Sequence, residues 1–218
     1  MIYEFKKWGS LDDKRAAQWA RWETNKKAED GICGKLLKYK GFIENIDGKK
    51  ILSVPESVQI IASGAFVGLG AEDKEIDSFI VPASVEVLEE GALGNIHTKE
   101  IHIAPDSKCA VVKGKGVYST DGKVLLYYFG DYCWDGENEV TFTVPNGVLK
   151  IGEEAFWGCG PITLELPDSI TEIWYEKANL LGEELKADHT YYAFTISASK
   201  NSFAAKFAKQ NIIKFEEI

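Results

Sequence analysis

The chain has 218 residues, 45% of them hydrophobic, enough for one large domain or two small ones around a buried core. Its formal net charge of -9 repels phosphate backbones and anionic lipid, which argues against nucleic acid as a partner and against docking on a membrane surface. Apolar runs such as Val124 to Phe129 fall far short of the roughly 20 residues that a membrane-spanning helix needs, so no membrane insertion is expected.

The first stretch, MIYEFKKWGSLDDKRAAQW, lacks the apolar segment of a secretory signal. The expected compartment is the cytoplasm if the chain is complete, and the cell surface or exterior if an upstream signal is missing. Ser10 can cap a helix whose first turn holds Asp12 and Asp13, whose last turn holds Lys26 and Lys27, and which Gly31 can end. Ala16, Trp19, Ala20 and Glu23 share a face of it, with Trp22 alongside. Residues 1–45 are therefore expected to form a helical cap over the open edge of the region that begins at residue 46. In an alternative use, Trp19 or Trp22 anchors a partner.

From residue 46 onward the chain repeats itself. VPESVQIIASGAFVGL, VPASVEVLEEGALGNI and VPNGVLKIGEEAFWGC begin at Val54, Val81 and Val144. Counted from each proline, position -3 holds Leu52, Phe79, Phe142 and Leu164, and position -1 holds Val54, Val81, Val144 and Leu166. Position +3 holds Val58, Val85, Val148 and Ile170, and position +6 holds Ile61, Leu88, Ile151 and Ile173. An alanine and a large apolar residue follow at +10 and +11: Ala65 and Phe66, Ala92 and Leu93, Ala155 and Phe156. Alternation around -3 and -1 predicts a short strand with one buried face, which proline ends because it has no N–H to give. One such unit cannot bury its own apolar face, whereas a stack of them can.

The prolines Pro55, Pro82, Pro105, Pro145 and Pro167 are separated by 27, 23, 40 and 22 residues. Pro105 heads a degenerate unit with Ile101 and Ile103 as its strand and Ala104 as one extra residue. The 40-residue interval contains AspGly at 121–122 between two apolar runs, which predicts a hairpin over 112–129 inserted into the stack. The unit after Pro167 loses the pattern at Lys177 and Ala178, and residues 178–190 read as irregular. Phe194 and Ile196 predict a last strand, residues 202–210 a short helix and residues 212–215 a closing segment. A C-terminal cap is thus expected over about 191–218.

The pattern LxLPxSVxxIxxxAFxxC resembles the BspA-like leucine-rich repeat family, as do GVYSTDGKVLL at 116–126 and SFAAKFA at 202–208. The resemblance covers about residues 50–215. It implies a β-rich α/β fold: a right-handed solenoid with parallel strands, here with an inserted hairpin, an N-terminal helix cap and a short C-terminal helix. It also implies a bacterial protein of adhesion or protein contact, with no catalytic residues.

Candidate chemistry is sparse. His97, His102 and His189 have no serine or cysteine partner in any recognisable motif, so solvated imidazoles are expected. Cys159 stands where other units carry Leu69 and Ile96 and reads as a core residue, while Cys33, Cys109 and Cys133 form neither a CxxC pair nor a zinc set. DYCWDGENE at 131–139 places Asp131 and Asp135 at the first and fifth positions of a calcium loop, but Cys133 and Phe142 occupy the third and twelfth. KGKG at 113–116 reads as a turn, because no helix pattern follows it. No metal, cofactor or small-molecule ligand is expected.

The strand residues between buried positions are expected to point outward from one face: Ser53, Ile80, His102, Thr143 and Glu165, and one step earlier Ile51, Ser78, Glu100, Thr141 and Thr163. They include no basic stripe and no aromatic row, which suits a protein contact better than phosphate or sugar. The chain is therefore read as a non-enzymatic module that binds another protein. The alternative is a carbohydrate-binding module using Trp134, Trp157 and Trp174 with Tyr127, Tyr128 and Tyr132, provided those rings are exposed. An enzyme of unknown type is a third reading.

Overall fold

A computed structural model describes residues 34–39, 43–67, 76–94, 96–130, 140–156, 162–174 and 194–218. The expected N-terminal helix, with Trp19 and Trp22, lies outside the described residues, as do the irregular stretch at 178–190, Cys33, Cys133, Cys159 and His189.

The units headed by Pro55, Pro82, Pro145 and Pro167 share one fold. A strand of the wide face runs up to one or two residues before proline. The chain then turns and pairs again at positions +5 and +6 as a two-residue strand of a narrow face. The wide strands of the first half are β3 (Lys49–Ser53), β5 (Ile76–Val81) and β7 (Thr98–Ile103), which pair parallel in that order. Their narrow counterparts are β1 (Lys35–Leu36), β4 (Ile60–Ile61) and β6 (Val87–Leu88), also parallel. The second half has wide strands β11 (Val140–Thr143), β13 (Ile162–Glu165), β15 (Phe194–Ala198) and β16 (Lys214–Glu217). Its narrow strands are β12 (Lys150–Ile151) and β14 (Glu172–Ile173), which pair with each other in parallel.

Register follows the repeat. Leu52, Phe79 and Ile101 are neighbours on successive rungs, and so are Phe142, Leu164, Ile196 and Phe215. Parity fixes this alignment, because a one-residue slip would carry every core side chain to the solvent face. The proline carbonyl closes the turn by accepting the N–H at +3, seen for Val58, Val85, Val148 and Ile170 at 3.0, 3.2, 3.3 and 3.1 Å. In the degenerate unit the same bond runs from Ser107 to the Ala104 carbonyl at 2.9 Å, and Ile103 pairs with Val81. Ala104 is therefore not an extra residue. It takes the proline position, and Pro105 stands one place late.

The interval before β11 differs from the expected hairpin. It holds a three-stranded antiparallel meander: β8 (Val111–Lys113), β9 (Gly116–Tyr118) and β10 (Val124–Tyr128). The AspGly turn closes through Gly122 N–H to Ser119 O at 2.8 Å, and only its glycine has positive φ, 71°. The last strand is not an insertion at all, since β10 pairs parallel with β12 and is a rung of the narrow face.

That rung repeats the way the solenoid begins. Gly34 O accepts from Gln59 and Ile60, and Lys123 O accepts from Leu149 and Lys150. Ala62 N–H meets Leu36 O, and Gly152 N–H meets Leu125 O. Tyr39 donates its N–H to Ala65 O, and Tyr128 to Ala155 O. Even the rings match: Tyr39 on Phe66 and Tyr128 on Phe156 both have centroids 5.6 Å apart and planes inclined at 38°. Among the described residues the narrow face thus starts at Lys35 and starts afresh at Val124.

Two cores result. One gathers Leu52, Phe66, Phe79, Ile96 and Ile101, the other Val144, Phe156, Leu164, Ile170 and Ile196. β10 divides them. Leu126 and Tyr127 enter the first core, Leu125 and Tyr128 the second. A bulge between Leu125 and Tyr127 in the pairing with β9 breaks simple alternation and lets two successive side chains face one way. The Tyr127 hydroxyl donates to the Ile96 carbonyl, which satisfies a polar atom taken into an apolar interior.

The ends of the wide sheets close differently. β2 (Glu44–Ile46) folds back antiparallel on β3 through Asp47 and Gly48, both with positive φ, the two-residue turn that matches strand twist. At the other end, α1 (Phe203–Asn211) connects β15 to β16 and buries Ala204, Ala205 and Ala208, whose small side chains let it lie close to the sheet. Ser202 caps it by accepting the Ala205 N–H at 3.0 Å. α1 and β16 lie within a residue or two of the helix expected at 202–210 and the closing segment expected at 212–215.

Candidate functional site

Strand alternation and register decide which wide-face side chains share a line. In the first half the outward lines are Ile51, Ser78 and Glu100, then Ser53, Ile80 and His102. In the second half they are Thr141 and Thr163, then Thr143 and Glu165. The expected outward residues thus fall on common ladders within each half. The structure extends both lines further, with Thr195 and Lys214 beside Thr163, and Ser197 and Glu216 beside Glu165. The sequence signal for this is the alternation Phe-Thr-Ile-Ser at 194–197, which matches Ile-Thr-Leu-Glu at 162–165.

Burial sorts these residues. Ser78, Thr163, Thr195 and Ser197 are buried, because each small side chain sits between rungs on both sides. Glu100, Thr141 and Thr143 are exposed or nearly so, and Ser53, Ile80, His102 and Glu165 are half-buried. Apart from Lys214 and Glu216 at the far end on β16, the most accessible part of the ladders therefore lies on β7 and β11. These strands end the first wide sheet and begin the second, and the hydrogen-bonded ladder does not continue between them among the described residues.

Polar contacts on this face are local. His102 Nε2 lies 3.2 Å from Glu100 Oε2, two residues along the same strand. Thr143 Oγ1 donates to Glu165 Oε2 on the next rung at 2.6 Å. Beside the face, the Lys99 ammonium at 2.9 Å and the Lys50 N–H hold the Asp77 carboxyl below its ordinary value. On the narrow face, Lys35 spans to Glu89 at 2.7 Å and lowers that carboxyl's pKa. Lys150 meets Glu90 at 2.9 Å and Glu172 at 3.0 Å, and both raise its pKa. Glu90 also accepts the Glu153 N–H at 3.2 Å, so one carboxylate fastens the second half onto the first.

The rings expected for carbohydrate fare differently. Tyr127 and Tyr128 are core residues, 0% and 3% exposed, and cannot form a platform. They are taken inside because β10 separates two cores and both of its faces are covered. Trp174 is half-buried, and Trp134, Trp157 and Tyr132 lie outside the described residues, as does the acidic stretch at 131–139. His97 is half-buried in the turn before β7, where its carbonyl accepts the Ile76 N–H at 2.9 Å. Cys109 is buried, and burial pushes its thiol pKa up, away from the reactive thiolate. Lys113 to Gly116 is the β8–β9 hairpin turn, as expected. No group of three or more metal-ligating side chains occurs among the described residues.

Residues 126–177 match the family described as BspA type Leucine rich repeat region (6 copies). Similar solved structures include a leucine-rich repeat protein from Eubacterium ventriosum, at 15% identity over 57% of this chain and 38% of that one, with a TM-score of 0.41. A leucine rich cell surface protein from Faecalibacterium prausnitzii is 21% identical over 56% of this chain and 37% of its own, with a TM-score of 0.38. The pneumococcal vaccine antigen PcpA is 12% identical over 65% and 52%, with a TM-score of 0.29. The chain therefore spans only about a third to a half of these proteins. No curated protein matches it. The match over 126–177 thus falls within a β-solenoid whose rungs stand in register and whose turns close on the proline carbonyl, and that stretch is similar to the BspA-type leucine-rich repeats.

Proposed function

We propose that the chain is a non-enzymatic interaction module that binds another protein through the outward side of its wide sheets. The observation that carries this reading is the placement of Glu100, His102, Thr141, Thr143 and Glu165, accessible on ladders fixed by the rungs beneath them. Such a surface is rigid before contact, so a partner meets it with little loss of conformational freedom. Its mixture of carboxylates, hydroxyls and one imidazole suits the polar rim of a protein contact. The burial of Tyr127 and Tyr128 removes two of the rings on which a sugar would stack.

The test compares binding to a panel of cell-surface and matrix proteins with binding to a glycan array. Thr143→Arg with Glu165→Lys alters the wide face, and Val87→Lys alters the exposed side of the narrow one. The expected result is binding to a protein that the first variant abolishes and the second retains. Binding to glycans alone, or protein binding that survives the wide-face variant, contradicts the proposal.

A further inference from the structure

β16 is the last strand of the second wide sheet, and among the described residues its only sheet neighbour is β15. Ile218 donates its N–H to Ala198 O, so by alternation the peptide groups of Glu216 and Lys214 also face β15. The N–H and C=O groups of Phe215 and Glu217 then point away from it along the outer edge. Such an edge is a template for another strand, and charged side chains decide which strands it accepts.

We propose that this edge pairs antiparallel with β16 of a second copy, around a two-fold axis through Phe215. A two-fold normal to the sheet places each residue opposite one of the same parity, which leaves few registers. Centring on Lys214 sets lysine against lysine. Centring on Glu216 or Glu217 sets glutamate against glutamate. Centring on Phe215 sets Lys214 opposite Glu216 twice, and places the outward peptide groups of the two Phe215 residues to exchange hydrogen bonds. Lys214 and Glu216 already meet within the chain at 2.9 Å, so the pairing joins two such ion pairs into a ring of alternating charge. On the opposite side Phe215 is half-buried and packs against the second core, and its symmetry mate extends that core across the axis. Glu217, held by Lys200 at 3.4 Å, falls opposite the half-buried Ile213 at the rim. The outward ladders ending at Lys214 and Glu216 then run from one copy into the other.

Sedimentation of the whole chain from micromolar to millimolar concentration tests this pairing. The expected result is a concentration-dependent doubling of mass. Lys214→Glu faces Glu216 with a like charge at two places and abolishes the doubling, and Lys214→Glu with Glu216→Lys restores it. The neighbours of these positions on β15, Thr195 and Ser197, are neutral. Hydrogen exchange on the unaltered protein is an independent reading, with the amides of Phe215 and Glu217 gaining protection as concentration rises. An unaltered chain that stays monomeric throughout overturns the proposal. So does a dimer unaffected by Lys214→Glu, or one in which those two amides exchange freely.

Discussion

Ile212 follows α1 in the left-handed conformation, at φ 60° and ψ 36°, and its side chain is 93% exposed. A left-handed backbone brings Cβ against the following carbonyl, at about 1–2 kcal/mol for an L-residue. Glycine escapes that clash but gives up more chain entropy on folding, roughly 0.5–1 kcal/mol. With almost no burial to lose, Ile212→Gly is expected to gain about 0.5–1 kcal/mol. For a chain of this length that raises Tm by roughly 1–4 °C. The cap hydrogen bond, from the Ile212 N–H to the Ala208 carbonyl, is made by the backbone and survives the change. Ile212→Ala keeps Cβ and is expected to move stability by less than about 0.5 kcal/mol, as an ordinary surface change does. Thermal and urea unfolding of the three proteins decide the matter. A glycine variant no more stable than the alanine variant refutes the reasoning, because the left-handed backbone would then carry no Cβ cost.

Leu164 is 3% exposed between Phe142 and Ile196 on neighbouring rungs, so Leu164→Ala is expected to lose about 2–5 kcal/mol in urea unfolding. Burial, together with Glu44 for Tyr39, pushes the phenols of Tyr39 and Tyr118 up to about 12. Their folded pKa is raised, so this stability is whole below the ordinary phenol value of about 10 and declines as pH rises toward 12. Ultraviolet titration is expected to show these two phenols ionising well above the ordinary phenol range, near pH 12. Asp77 and Glu89 carry depressed pKa values, so their contribution is full above about pH 5 and is lost as pH falls through the depressed values. Lys99→Met and Lys35→Met are expected to raise the midpoint pH of acid unfolding. Glu90→Gln weakens its pair with Lys150, and a loss of up to about 1 kcal/mol is expected in chemical unfolding.

The rungs were legible because proline, the alternation before it and the +3 and +6 apolar positions all describe one local geometry. The meander was only half legible. AspGly at 121–122 announced a turn, but nothing local says that β10 goes on to pair with β12, since that partner lies 26 residues away in sequence. A signal for it does exist: LeuLeu-x-Tyr-x-Gly occurs at 36–41 and again at 125–130. It is faint because it holds no proline and recurs once, far outside the spacing of the other units. Asp47-Gly48, which turns β2 back onto β3, was equally readable and lies at the edge of the stretch assigned to a helical cap. The outward ladders followed from parity alone. Their burial did not, because whether Thr163 is covered depends on side chains of the adjoining rungs.

Stacking of the rungs in one register underlies both the cores and the outward ladders, and methyl and aromatic nuclear Overhauser contacts test it most directly. Leu164 methyls are expected to contact the Phe142 ring on one side and Ile196 on the other, and Ile196 to contact the Phe215 ring. Contacts from Leu164 to Thr195 or Ser197 in place of Ile196 would mean a slipped register, and with it the loss of the cores and the ladders alike.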